Sequence, residues 1–195
     1  MDAKSVGALR QTLAGSPLLD ATRGFAAALR AAVTRRTARG LLLVGSTGYE
    51  PWHLAAHLDE EAAWSGVPQL APRLVRHQPT ALGTPAHLRL GLDDLAAARR
   101  GQTVLVVTPQ AAGTPLLERM ADARRGGATV LALAGADPQL TGLAHQQLTV
   151  DQVPDEGFDL VQHLVSAAAG EPARTLPGRL ARLARQLGGE PAQRW

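Results

Sequence analysis

Apolar runs of two kinds alternate along the chain. Residues 103–107 read Thr-Val-Leu-Val-Val, an unbroken run of the sort a strand buried on both faces requires. Small and polar residues follow as far as Thr114, and then Leu116 to Arg124 reads as a helix. Thr114 is the predicted N-cap, and Pro115, which has no amide hydrogen to lose, takes the first helical position. Arg124, Arg125, Gly126 and Gly127 end the helix with cations at the negative end of its dipole and glycines free to go left-handed. Ala128 to Ala134 is apolar again and completes a βαβ unit. Leu41 to Val44 is a second such strand, running into the turn Gly45-Ser46-Thr47-Gly48 and a helix, Trp52 to Trp64, opened by Pro51. Leu74 to His77 and Gln147 to Val150 complete the set of five predicted strands.

Helical periods fill the intervals. Leu18, Ala21, Phe25, Leu29 and Val33 recur at helical spacing ahead of Gly40, an amphipathic helix of about five turns. Leu92 to Arg100 is a short helix with Asp93 and Asp94 in its first turn, and Glu156 to Ala169 is a longer one with Phe158, Val161, Leu164 and Val165 as its buried set. Residues 2–14 and Arg179 to Leu187 are shorter amphipathic segments. Between Ser65 and Ala86, prolines 68, 72, 79 and 85 break the pattern, and residues 78–87 read as a loop in which Thr80 and Thr84 are unspecific ligand contacts. Strands alternating with helices predict an α/β fold, a three-layer α/β/α sandwich around a five-stranded parallel sheet. The expected divisions are N-terminal helices over 1–40, the α/β domain over 41–170 and a helical tail over 171–195.

The stretch from residue 103 to 150 resembles the sugar isomerase (SIS) domain, in which a strand ends in a Ser/Thr-rich turn, commonly S-T-S-G-x-S, whose hydroxyls and amides hold a sugar phosphate. The resemblance spans roughly residues 40 to 170 and implies a flavodoxin-like sheet topology. With Thr114 on the last hydroxyl, positions 109–112 read Pro-Gln-Ala-Ala where the family has hydroxyls and a glycine. The resemblance implies a phosphorylated sugar as ligand, held by Ser46, Thr47, Gly48, Thr108, Gln110, Gly113 and Thr114. Residues 57–61, His-Leu-Asp-Glu-Glu, look like the His-x-x-Glu-Glu stretch of phosphoheptose-isomerase-like members. That match makes Glu61 the acid/base and His163 its histidine partner, with Glu156 at the position of a further glutamate. Aldose–ketose isomerisation is then the reaction implied if the protein is an enzyme. The alternative, to which Pro109–Ala112 points, is a non-catalytic regulatory or scaffold protein that binds a partner protein.

Composition narrows the remaining classes. Hydrophobic residues make up 45% of the 195 and aromatic ones only 3%, so the core is built from Leu, Val and Ala. No cysteine is present, which excludes disulfides and thiolate metal sites. Nineteen of the 20 basic residues are arginine, but the net charge is only +3 and the basic residues are not interleaved with aromatics, so no dedicated nucleic-acid surface is expected. No run approaches the ~18 apolar residues of a membrane span, and a cytoplasmic protein without a membrane partner is expected. His53 and His57, four apart, share a helix face, but no third ligand stands at an obvious spacing, so neither a metal site nor a cofactor is expected. The amphipathic helix from Leu18 to Val33, left over outside the βαβ core, predicts a homodimer or homotetramer, as the family resemblance does.

Overall fold

The computed structural model describes residues 17–78, 90–150 and 155–170. The segments 2–14 and 179–187, and the loop residues Thr80 and Thr84, lie outside them. In chain order the elements are α1 (Pro17–Thr34), β1 (Leu41–Val44), α2 (Trp52–Ser65), a 3-10 turn (Pro68–Leu70), β2 (Pro72–Val75), α3 (Leu92–Ala96), β3 (Thr103–Thr108), α4 (Thr114–Arg125), β4 (Thr129–Ala134), α5 (Pro138–Leu143), β5 (Gln146–Thr149) and α6 (Asp155–Gly170). The five strands form one sheet in the order β2-β1-β3-β4-β5, and every pairing is parallel. The predicted fold class is the observed one.

Why these runs make a sheet covered on both sides is visible in their alternation. Because successive side chains of a strand point to opposite faces, Leu43, Leu105, Leu131 and Leu133 join a core with Phe25 and Leu29 of α1, Leu54 and Leu58 of α2, and Phe158 and Val165 of α6. Leu42, Val44, Val104, Val106 and Val130 face the other way, toward Leu95 of α3, Leu116 and Met120 of α4, and Leu140 of α5. Both faces being apolar, the strands have no amphipathic pattern and read as continuous hydrophobic runs.

Several boundaries move. Helix α1 shares its core with the sheet, α2 and α6, so Phe25, Leu29 and Val33 of the apolar face from which self-association was expected are covered within the chain, while Leu18 is half-buried and Ala21 exposed. Strand β2 begins at Pro72, two residues earlier than the apolar pattern suggests, while Arg76 extends its edge through an isolated parallel bridge to Gly91. On α6, Leu164 is only half-buried and Gln162 takes a place in the core. The reason is a polar contact: the Gln162 amide donates to the Tyr49 hydroxyl at 2.8 Å, and the Tyr49 ring stands edge-on to Phe158 with centroids 5.8 Å apart.

Candidate functional site

In a doubly wound sheet, ligands bind beyond the carboxyl ends of the strands where the order reverses. Here the chain moves outward from β1 to β2 and then returns to β3 on the other side of β1, so the reversal lies between β1 and β3. The two glycine-containing turns, 45–49 and 109–113, follow these neighbouring strands, the second flanked by Thr108 and Thr114.

The first turn is tightly built. Tyr49 donates its amide to the Ser46 carbonyl at 3.2 Å, and a Cβ on Gly45 would stand 1.8 Å from the Tyr49 carbonyl oxygen. Glycine is therefore a steric requirement at 45. Ser46 is buried, whereas Thr47 and Gly48 are exposed. Beyond the ends of β1 and β2 lies a cavity of about 500 Å³ lined by Thr47, Gly48, Glu50, Arg76, His77 and Gln78, among others. Its polar groups are ordered by one another. The Gly45 carbonyl can only accept, so His77 carries its proton on Nε2 and donates to it at 2.9 Å, leaving Nδ1 to accept from the Thr47 hydroxyl at 3.3 Å. Glu50 accepts from Arg76 Nε at 3.0 Å and from Trp52 Nε1 at 2.7 Å, and the Arg76 guanidinium lies 5.5 Å from the centre of the Trp52 ring. Arg76 and His77 were not among the expected contacts; their signal was the basic pair closing the β2 run, obscured by the surrounding prolines.

The second turn is tied down from within. Thr108 is buried, and its hydroxyl donates to the Gln110 carbonyl at 2.7 Å while lying 3.3 Å from the Gln110 amide. Gly113, with a φ of 76°, is the N-cap residue of α4, and no side chain caps this helix. Thr114 is thus the first helical residue rather than the cap, because the left-handed backbone at Gly113 puts the break one position earlier. A carboxylate occupies the base of the turn: Asp137, 7% exposed, accepts from the Ala112 amide at 3.0 Å through Oδ2 and from the Gln139 and Leu140 amides at 3.0 and 3.1 Å through Oδ1. Burial by itself raises the pKa of this carboxyl, but the three amide donors outweigh it and hold the group below its ordinary value.

Of the expected acid–base residues, Glu61 is buried on the face of α2 that carries Leu54, Leu58 and Ala62. His163 meets other partners. Across the α2–α6 contact its Nε2 lies 2.7 Å from His53 Nε2, and the ring centroids of His57 and His163 are 4.0 Å apart. One ring nitrogen from each of His53, His57 and His163 falls within 4.8 Å of the others, an arrangement that could hold a metal ion. The third imidazole, missing from any sequence spacing, comes from 110 residues away. Burial, helped by the two neighbouring histidines, lowers the pKa of His163 to about 4. Burial and His53 also lower that of His57, with the Glu60 carboxylate pulling in the opposite direction. At neutral pH both rings are therefore uncharged.

No protein-family model and no curated protein sequence matches the chain. Among solved structures it is similar to the sugar isomerase domain of an RpiR transcription factor from Sphaerobacter thermophilus, with a TM-score of 0.52 and 18% identity over 85% of each chain. It is also similar to the NanR protein of Vibrio vulnificus, solved in complex with ManNAc-6P, with a TM-score of 0.51 and 12% identity over 85% of this chain and 60% of that one. The chain thus spans most of the first structure but three fifths of the second. The likeness establishes the fold as that of a sugar isomerase domain. Among the described residues no helix is long and apolar enough to cross a membrane.

Proposed function

We propose that this domain binds a phosphorylated sugar in the cavity beyond β1 and β2, and that it does so without turning the sugar over. The observation that carries the reading is the cavity itself, which opens beyond β1 and β2 and is lined by Thr47, Gly48, Arg76 and His77, with His77 bonded to Thr47 and to the Gly45 carbonyl and Arg76 held by Glu50. Arg76 is oriented in advance by Glu50 and Trp52, so a phosphate meeting it would pay little to order the side chain. The fold shared with a sugar isomerase domain and with a protein solved with ManNAc-6P supports the ligand class. Ser46, Thr108, Gln110, Gly113 and Thr114 belong to the same proposal as the walls on either side of the reversal. Two features favour binding without catalysis. Pro109 has no amide hydrogen and the Ala112 amide is taken by Asp137, so the second turn has fewer donors for a reacting phosphosugar. Glu61 is buried on the face of its helix that carries Leu54, Leu58 and Ala62, and His163 is met by the rings of His53 and His57.

Calorimetry with a panel of hexose 6-phosphates and N-acetylmannosamine 6-phosphate, each paired with its unphosphorylated sugar, tests this reading. At least one phosphorylated sugar should bind and its unphosphorylated counterpart should not. Arg76→Gln should weaken binding by about tenfold or more, the scale of one charge-assisted hydrogen bond. Absence of binding for the whole panel overturns the proposal. Solvent deuterium appearing at C2 of a bound sugar phosphate, and lost in Glu61→Gln, would instead identify an isomerase.

A further inference from the structure

We infer that the end of the sheet opposite the sugar-phosphate cavity is a docking surface for a short acidic segment of a partner protein, with Arg36, Arg39 and Arg100 as its free contacts. The inference does not rest on the cavity, from which this surface is separated by the length of the strands.

All strand pairings are parallel, so the segments that feed the strands lie at one end of the sheet. Leu41, Thr103 and Thr129 stand in register across β1, β3 and β4, and the segments just ahead of them, 35–40, 97–102 and 124–128, are tied to one another. The Arg39 amide donates to the Gly101 carbonyl at 2.9 Å, and the Arg100 amide to the Gly126 carbonyl at 3.1 Å. A Cβ on Gly101 would stand 2.4 Å from the Thr37 carbonyl oxygen, so the first two segments are in direct contact. Between them the three segments carry seven arginines and no aspartate or glutamate. All seven are exposed. Basic residues that are scattered along the sequence are thus gathered by the topology into one patch.

Four of the seven guanidinium groups are engaged. Arg35 donates to the Thr129 hydroxyl at 2.8 Å, Arg99 to the Ala96 and Ala98 carbonyls at 3.1 and 3.0 Å, and Arg124 to the Gly142 and Leu143 carbonyls. Arg125 alone meets a carboxylate, that of Asp122. The side chains of Arg36, Arg39 and Arg100 make no hydrogen bond or ion pair among the described residues. Like charges gathered this closely repel one another, and an anion seated on them relieves that repulsion.

Guanidinium forks pair with carboxylates and phosphates alike, and two features favour the carboxylates of a peptide. Neighbouring strands are about 4.8 Å apart, so the three segments are spread over only about 10 Å, the length of three residues of extended chain and less than a third of the ~34 Å turn of a duplex. Alternate side chains of an extended segment share a face, which brings successive carboxylates to Arg39 and Arg100. No aromatic residue lies in the three segments to stack on a base.

The probe is a fluorescein-labelled hexaglutamate peptide, titrated with the full chain at low salt and read by fluorescence anisotropy without any sugar phosphate, so failure here and failure of the cavity reading are separable. Hexaglutamate should bind and hexaglutamine should not. Its affinity should fall by about tenfold when sodium chloride is raised from about 50 to about 300 mM, because exposed charge pairs are screened by salt. Arg39→Gln and Arg100→Gln should each weaken binding about threefold and the double variant about tenfold, the scale of exposed ion pairs. Glutamine keeps the inner part of each side chain and no guanidinium partner is lost, so the fold is retained, which circular dichroism verifies. Arg23→Gln, which removes the same charge from α1 about 18 Å along the helix from Arg35, should bind as the parent does. No binding of hexaglutamate by the parent at low salt overturns the surface, as does an equal loss in Arg23→Gln and Arg39→Gln. Tighter binding of a DNA duplex than of hexaglutamate under the same conditions also overturns it, and would make the patch a nucleic-acid surface instead.

Discussion

Asp137 fixes a loop and caps a helix with one carboxylate, and replacing it separates the two tasks. Asp137→Ala removes the cap of α5, a loss of about 1 kcal/mol in most helices. It also leaves the Ala112 amide, in a residue 1% exposed, with no acceptor, which costs a further ~1–3 kcal/mol. The expected loss is therefore about 2–4 kcal/mol. Asp137→Asn is the sharper probe. Its carbonyl oxygen can still accept from Gln139 and Leu140, and Asn caps as well as Asp, but its NH2 group would face the Ala112 N–H, donor against donor. A loss of about 1–3 kcal/mol from this position alone is expected in urea unfolding at pH 7. The pH dependence has a definite sign. The folded-state pKa lies below the ordinary value of 3.8, so the unfolded chain binds more protons between the two values, and the contribution is present above that value and fades as pH falls through the folded one. The difference between parent and Asp137→Asn should accordingly be constant from pH 7 to 5 and shrink below about pH 4. An Asn variant within 0.5 kcal/mol of the parent at pH 7 would refute the claim that this carboxylate holds the turn.

Two further outcomes follow from the turns. Gly45→Ala should leave little or no folded protein by circular dichroism at 37 °C, because the added Cβ would meet the Tyr49 carbonyl oxygen at 1.8 Å and no side-chain rotation relieves a clash with backbone; parent-like melting would refute the close approach. Thr114→Val should leave ligand-free stability within about 0.5 kcal/mol, since this hydroxyl does not cap α4. If the second turn contacts the phosphate, the same variant should weaken phosphosugar binding by ~1 kcal/mol or more, which calorimetry on the one variant can separate from stability.

How far the residues themselves announced this structure depends on the range of the interactions involved. Strands β1, β3 and β4 were readable because burial on both faces leaves no polar position to confuse a run such as Val104 to Val107. Strand β2 was harder, since its first half is only partly buried and starts on a proline. Gln162 is a polar side chain in the core, accommodated there by one hydroxyl 113 residues away in sequence. The same holds for the sites. His53 and His57 could be paired by spacing, but a third imidazole on another helix leaves no spacing to find, and Asp137 reaches back 25 residues to Ala112. Local patterns carried the frame, and contacts made only by the folded chain decided what the turns and histidines do.

The two outer strands of the sheet have a consequence for how copies of this protein can meet. An edge strand offers a row of backbone donors and acceptors to any passing chain, and long, flat, apolar edges are where ordered aggregates begin. Strand β2 answers with Pro72, which has no amide hydrogen to give, and with the exposed charge of Arg73; β5 is four residues long and commits only Leu148 to the interior, showing Gln146 and Thr149 outward. Neither margin is a template for a sixth strand. Growth of the sheet from one molecule into the next is blocked at both ends, so a lasting contact between copies has to be made through helices or loops.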